Sequence, residues 1–268
     1  MPKKSTIKAA ETVDFIVDWL KAYAQNAKVN GFVVGISGGI DSAVTSSLCA
    51  KTGMKTLCVE MPIHQPPHHV TRAQEHIAQL KQKYPNVDDA RADLTPVFES
   101  LKTAVPTSQN EHALFLTLAN TRARLRMTTL YYYAGLNGLL VAGTGNKVED
   151  FGVGFFTKYG DGGVDLSPIA DLMKSDVYAL AAYMGVPDSI LVAPPTDGLF
   201  VDDRSDEDQL GASYDELEWA MLESEKGRAA DDFTGREKEA FEIYARLNRA
   251  NRHKMLPIPV CEIPSDFK

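Results

Sequence analysis

The segment Ser37-Gly-Gly-Ile-Asp-Ser42 combines residue types able to hold a polyphosphate. Gly38 and Gly39 clear side chains from the path of an anion and permit backbone angles closed to other residues. Successive backbone N–H groups in such a turn form a concave anion site, and a helix starting there adds unpaired donors and partial positive charge. Ser37 and Ser42 bring hydroxyl donors. Asp41 would repel a bare phosphate, but its type suits Mg²⁺, a hard cation usually held by one or two carboxylates plus substrate oxygens. The plainer alternative is a tight strand-to-helix turn in which Asp41 or Ser42 caps the helix. No GxxxxGK[ST] string occurs, so the loop is not of the Walker type.

A second concentration of chemistry lies in residues 143–168, GTGNKVEDFGVGFFTKYGDGGVDLSP, which contain Glu149, Lys158, Asp161 and Asp165. Lys174 follows shortly after, and Arg124 precedes it within Asn-Thr-Arg-Ala-Arg-Leu-Arg-Met. Each has a bland reading: Arg124 and Lys174 as solvated helix residues, Glu149 as a loop carboxylate, and Lys158, Asp161 and Asp165 as shapers of a Gly-rich turn. His253-Lys254 reads equally as a frayed helix end. Arg122 and Arg126 share one helix face at i, i+4 and Arg124 points away from both, so one face at most meets a substrate. His64, His68, His69 and His76 invite a metal reading, but Pro62, Pro66 and Pro67 break the helical register and no other ligands lie near, which disfavours zinc.

The string SGGxDS resembles the loop of the N-type ATP pyrophosphatases, which cleave ATP between its α- and β-phosphates and adenylate an acceptor. Together with GFFTKYGDGG-D the chain resembles the NAD synthetase family, from about residue 10 to His253-Lys254. That resemblance implies ATP-dependent amidation of the carboxylate of deamido-NAD by ammonia, giving NAD, AMP and pyrophosphate through an NAD-adenylate. It implies ATP contacts from Gly35, Ile36, Ser37, Gly38, Gly39, Ile40, Asp41 and Ser42, and from Thr144, Lys174 and Thr196. Mg²⁺ would lie on Asp41 and Glu149; deamido-NAD would meet Arg124, Lys158, Asp165, His253 and Lys254. Asp41, Glu149, Lys158 and Lys174 would carry the chemistry. It also implies a homodimer with the dinucleotide near the subunit interface. The chain departs from the family in two places. One extra residue separates Glu149 from Phe155, and Met61-Pro-Ile-His-Gln-Pro-Pro replaces a Leu-Pro-Tyr-Gly-like turn, with Gln65 in place of the family's glutamine.

Elements must position these residues. Apolar spacing predicts a helix over 6–27, a strand over 31–36 feeding the phosphate loop, a helix over 43–50, a strand over 55–61 and a helix over 70–83. A short strand near 90–94, a long helix over 111–134 and a strand over 138–143 follow. Residues 143–168 read mostly as loop, 171–184 as helix with Gly185 as C-cap, 194–208 as loop, 213–224 and 234–251 as helices, and 253–268 as irregular. Alternation of apolar strands with helices predicts an α/β fold, a Rossmann-like three-layer sandwich with a mostly parallel sheet and helices on both faces. Ligands in such sheets sit beyond the carboxyl ends of the strands. Helix 111–134, with Leu114, Leu118, Leu125 and Tyr132, fits a subunit interface or a core equally well.

Bulk properties bound the rest. The 268 residues, 44% hydrophobic and 24% charged, suit one domain over residues 1–268, with no room for a second, ammonia-delivering one. A net charge of −8 disfavours nucleic acid as partner. Three cysteines without a CxxC disfavour a disulfide framework. The N-terminus carries Glu11, Asp14 and Asp18 where a leader would be apolar, which predicts a cytoplasmic protein with no membrane partner. The rival readings are another ATP pyrophosphatase, tRNA-thiolating or GMP-forming, and a nucleotide sensor without turnover. Neither paired catalytic cysteines nor a basic face supports the first; two metal-type carboxylates and several lysines argue against the second.

Overall fold

A computed structural model describes residues 5–65, 67–194 and 206–268. Four parallel strands form a sheet in the order β3-β2-β1-β4: β1 Gly31–Gly35, β2 Lys55–Glu60, β3 Val87–Arg91 and β4 Leu139–Val141. Gly31 pairs with Lys55 on one side and Leu139 on the other. Period-2 alternation sends Phe32 and Val34 to one face and Val33 to the other, so the sheet is apolar on both.

Helices α1 Ala9–Ala27, α2 Ile40–Lys51, α3 Pro67–Lys83 and α6 Lys174–Met184 pack into the core cluster containing Phe32 and Val34. Helices α4 Thr95–Ala104 and α5 Glu111–Asn137 close the other face around Val33, Val59, Phe98 and Val141. The α/β three-layer class is therefore as expected. Each fully buried Phe or Leu in these layers stabilises the fold by roughly 1.5–3 kcal/mol. A third cluster joins the π-helical turn Val148–Val153 to α9 Tyr214–Glu225 and α10 Gly235–Met255 through Val153, Leu217 and Tyr244. Two short helices, α7 Asp188–Leu191 and α8 Asp206–Leu210, flank the gap in the described residues.

Several boundaries differ from the sequence reading. Strand β3 lies three residues earlier than expected: its register is set by pairing Thr56 with Val87, and Asp88 and Asp89 are exposed on this edge strand. Helix α4 was not anticipated; Pro96 lies in its first turn, where its fixed φ suits a helix start. Helix α6 begins at Lys174, where the Asp176 side chain returns to the Met173 N–H (3.1 Å). In α5, Leu118 and Leu125 pack against the core, whereas Tyr132 and Leu136 stay exposed at 66% and 69%. Among the described residues no helix is long and apolar enough to cross a membrane.

Candidate active site

The carboxyl end of β1 runs into the glycine loop, and α2 starts directly after it at Ile40 with Gly39 as N-cap. Neither Asp41 nor Ser42 caps the helix, so both side chains are available for other work. Gly38 has φ +83°, and a Cβ there would lie 2.6 Å from the His69 carbonyl oxygen of α3, so no other residue fits without displacing that helix. Gly39 is extended. The loop is held at rest by its serines: Ser42 Oγ donates to Gly39 O (2.9 Å), while Gly39 N–H and Ser37 N–H donate to Ser37 Oγ (3.1 Å) and Ser42 Oγ (3.3 Å).

A cleft of about 250 Å³ opens over this loop, beyond the strand ends. Residues 35–42, Thr144, Glu149, Asp161 and Lys174 line it, as do Arg72 and Arg126. At its acidic end, Lys174 Nζ donates to Asp41 Oδ2 (2.6 Å) and Glu149 Oε1 (3.0 Å), although 133 and 25 residues separate the partners. The ammonium is almost fully buried, its side chain 4% exposed. Burial alone would lower the Lys174 pKa, but the two carboxylates outweigh it and push it up, so the lysine stays charged. Asp150, the next residue along from Glu149, is pushed up to about 8 by burial and then by Glu149, Asp161 and Asp41. This end of the cleft therefore has an excess of carboxylates over cations.

Two partners of this cluster were not singled out from sequence. Asn146, fully buried, donates to Asp41 Oδ1 (3.1 Å) and accepts the Val148 and Glu149 N–H groups (both 3.1 Å), so one amide fixes both acids. Tyr214 OH lies 2.6 Å from Glu149 Oε1 and 3.2 Å from Asp206 Oδ2, and its ring sits 4.7 Å below the Lys174 ammonium. Asn146 lies inside the quoted string, but the signal for Tyr214 is tertiary. Glu149 and Asp150 lie in the π-helical turn Val148–Val153, a wide turn of the kind frequent at functional sites.

None of the residues assigned to the second substrate lines the cleft; they form an outer rim in which Arg124, Lys158 and His253 are linked by hydrogen bonds while Asp165 bonds to none of them. Arg124 donates to the Lys158 carbonyl (3.3 and 3.4 Å) and lies outside the cleft lining, whereas Arg126 lines the cleft and donates to Met61 O (3.1 Å) and Gln65 Oε1 (2.7 Å). Arg122 instead stacks on Phe98 at 4.4 Å. Lys158 Nζ donates to His253 O (3.1 Å), and Lys254 Nζ to Gly154 O and to Phe156 O (2.7 Å). Asp165 accepts from Val141 N–H (2.8 Å) and Tyr131 OH (3.0 Å). Thr196 lies outside the described residues.

The sequence profile of the NAD synthase family matches residues 12–257. The chain belongs to the NAD synthase family. An NH₃-dependent NAD⁺ synthetase from Carboxydothermus hydrogenoformans is 37% identical over 91% of this chain and 94% of that protein. Another, from Mesoplasma florum, is 41% identical over 78% and 82%. Among solved structures, an NMN synthetase from Francisella tularensis superposes with a TM-score of 0.81 at 31% identity, covering 97% of this chain and 99% of that one.

Proposed function

We propose that the chain is a ligase that amidates the nicotinate carboxylate of deamido-NAD with ammonia at the expense of ATP, giving NAD, AMP and pyrophosphate, the final step of NAD biosynthesis. The observation that carries this reading is the Asp41–Lys174–Glu149 cluster set against the glycine loop.

Two carboxylates already bracket one cation there. Both hydrogen bonds to Glu149 fall on Oε1, and among the described residues Oε2 has no partner. Among the described residues no group of three or more His, Cys, Asp or Glu converges as a metal site, which agrees with an ion completed by substrate phosphate. Asp41 and Glu149 thus fit Mg²⁺, which would offset the charge on the triphosphate. Residues 35–42 bind the phosphates, whose oxygens take over the N–H groups of Ser37 and Gly39 from the serine hydroxyls. Thr144, and in this reading Thr196, complete the ATP contacts. Lys174 is a fixed cation in a site shielded from water, where such charges act most strongly. The substrate carboxylate attacks the α-phosphorus and pyrophosphate leaves. Ammonia then attacks the carbonyl of the acyl-adenylate, AMP departs, and a proton passes to solvent.

Arg124, Lys158, Asp165, His253 and Lys254 form the binding rim for deamido-NAD. Residues 1–268 act as one domain and the protein works in the cytoplasm. Exposed Tyr132 and Leu136 on α5 supply apolar contacts for a homodimer.

The similarity to the Francisella enzyme favours a second reading in which the acid substrate is the mononucleotide. Pure protein with ATP, Mg²⁺ and ammonium, given deamido-NAD or nicotinate mononucleotide in parallel, separates the two. NAD formation at the higher kcat/KM supports the first reading, and glutamine in place of ammonium gives no product. Absence of deamido-NAD-dependent pyrophosphate–ATP exchange overturns the reading altogether.

A further inference from the structure

Lys174 stands at the Asp41 end of the glycine loop, and its ammonium is shared between two carboxylates. The Gly38 end is met by α3. There Arg72 Nε donates to Gly38 O (3.2 Å) and Arg72 Nη2 lies 3.2 Å from Nδ1 of buried His69. A guanidinium carries five N–H donors, so these contacts leave three. Arg72 is half-buried, lines the cleft and, among the described residues, makes no ion pair. The reactive nucleotide end thus holds an arginine that the reaction as derived does not use.

We propose that Arg72 binds the β- and γ-phosphates of ATP, and the pyrophosphate they become, through the N–H groups not spent on Gly38 and His69. The proposal rests on the ATP-cleaving function argued above and deepens it. A guanidinium offers a planar fork that matches phosphate oxygens bidentately, which an ammonium cannot. Anchoring Nε on the loop's own carbonyl fixes the fork before phosphate arrives, so less side-chain freedom is lost on binding. The close seat of α3 on Gly38 keeps that anchor in place, since only a residue without a Cβ allows the His69 carbonyl so near. When the bond from the α-phosphorus to its bridging oxygen breaks, the electron pair stays on that oxygen and the pyrophosphate gains negative charge. In this proposal a cation at the Gly38 end meets that gain on the leaving pyrophosphate. The competing role is a strut that merely pins α3 to the loop.

Calorimetric titrations of the full chain with Mg-pyrophosphate and, separately, with AMP distinguish the two roles. Arg72→Gln is expected to weaken pyrophosphate binding tenfold or more and to leave AMP within twofold. Arg72→Lys, which keeps the charge and loses the fork, should fall between the two. Pyrophosphate affinity unchanged in R72Q overturns the proposal, and so does a parallel loss of pyrophosphate and AMP affinity, the signature of a strut. Wild-type pyrophosphate–ATP exchange, run alongside, reports on the functional reading itself: exchange present with R72Q affinity unaltered removes the arginine's role alone.

Discussion

The two ends of the active-site cleft are built differently. At the floor, half-buried Asp41 and Glu149 and buried Lys174, Asn146 and Tyr214 bond to one another through their side chains. At the rim, Lys158, Lys254 and Arg124 donate to backbone carbonyls, and Asp165 is occupied by a strand N–H and a tyrosine hydroxyl. A side-chain network in a low-dielectric pocket holds its geometry before substrate arrives. The exposed contacts of Lys158 and Arg124 are weak and easily exchanged, whereas half-buried Lys254 holds two carbonyls. The floor is therefore preorganised for charge, and under the proposed function the rim trades resting contacts for substrate contacts. This difference predicts that floor substitutions change the adenylation rate and the stability, whereas rim substitutions change KM for the acid substrate.

Lys174→Met tests the floor most severely. It leaves two carboxylates facing each other without their cation, so pyrophosphate exchange should fall by about a thousandfold. Breaking a buried pair by removing one partner costs roughly 3–5 kcal/mol, so the melting temperature should fall as well. Mg²⁺ should then raise the melting temperature of the variant more than that of the wild type, because the ion takes the vacated place between Asp41 and Glu149. A variant that melts like the wild type would erase the distinction between floor and rim.

Acid should also strike the floor. His76 of α3 is fully buried, its Nε2 lies 2.9 Å from Ser46 Oγ, and that hydroxyl lies 2.7 Å from the Ser42 carbonyl at the phosphate loop. Burial lowers the His76 pKa to about 4 from its usual 6.5. Between these values the unfolded chain binds more protons, so stability is full above about pH 6.5 and declines as pH falls towards 4. The loss amounts to on the order of 3 kcal/mol. Urea unfolding at a series of pH values should show this slope in the wild type and a flatter one in His76→Gln, which is less stable at neutral pH. An equal slope in both would place the acid sensitivity elsewhere.

Tyr214→Phe removes only a hydroxyl and keeps the ring under the ammonium. Loss of one hydrogen bond to a charged group, about 1.5 kcal/mol, should slow exchange about tenfold. KM for the acid substrate should stay within twofold, because the rim is untouched. A raised KM with an unchanged rate would invert the assignment of the two ends.

How much of this was legible follows from where each signal lives. The β1–loop–α2 unit could be read because an apolar run, paired glycines and a helical stripe are adjacent in the chain. The three-layer class followed from the same local periods. Strand β3 was misplaced because Val-Asp-Asp-Ala-Arg has no apolar alternation and its register is fixed by β2. The π-helical turn could not be read because its wide hydrogen bonding has no compositional mark. Asp41, Glu149 and Lys174 were picked out individually, but their convergence on one ammonium was not. Tyr214, 65 residues from Glu149, had no local signal at all.

The smallest expected effect is the one that defines the rim best. In Asp165→Asn the amide oxygen can still accept the Val141 N–H, and the Tyr131 hydroxyl can turn to accept from the new NH₂ group. The end of β4 should therefore hold, with the melting temperature within a few degrees of the wild type. What disappears is a negative charge on an exposed residue that already accepts two hydrogen bonds. If that carboxylate meets the substrate only by sharing its remaining lone pairs, KM for deamido-NAD should rise about threefold while KM for ATP stays constant. An unchanged KM would make Asp165 a brace for the sheet end and nothing more. A fiftyfold rise would mean that the rim, like the floor, is committed to its ligand before binding, and the contrast between the two ends would fail on its own ground.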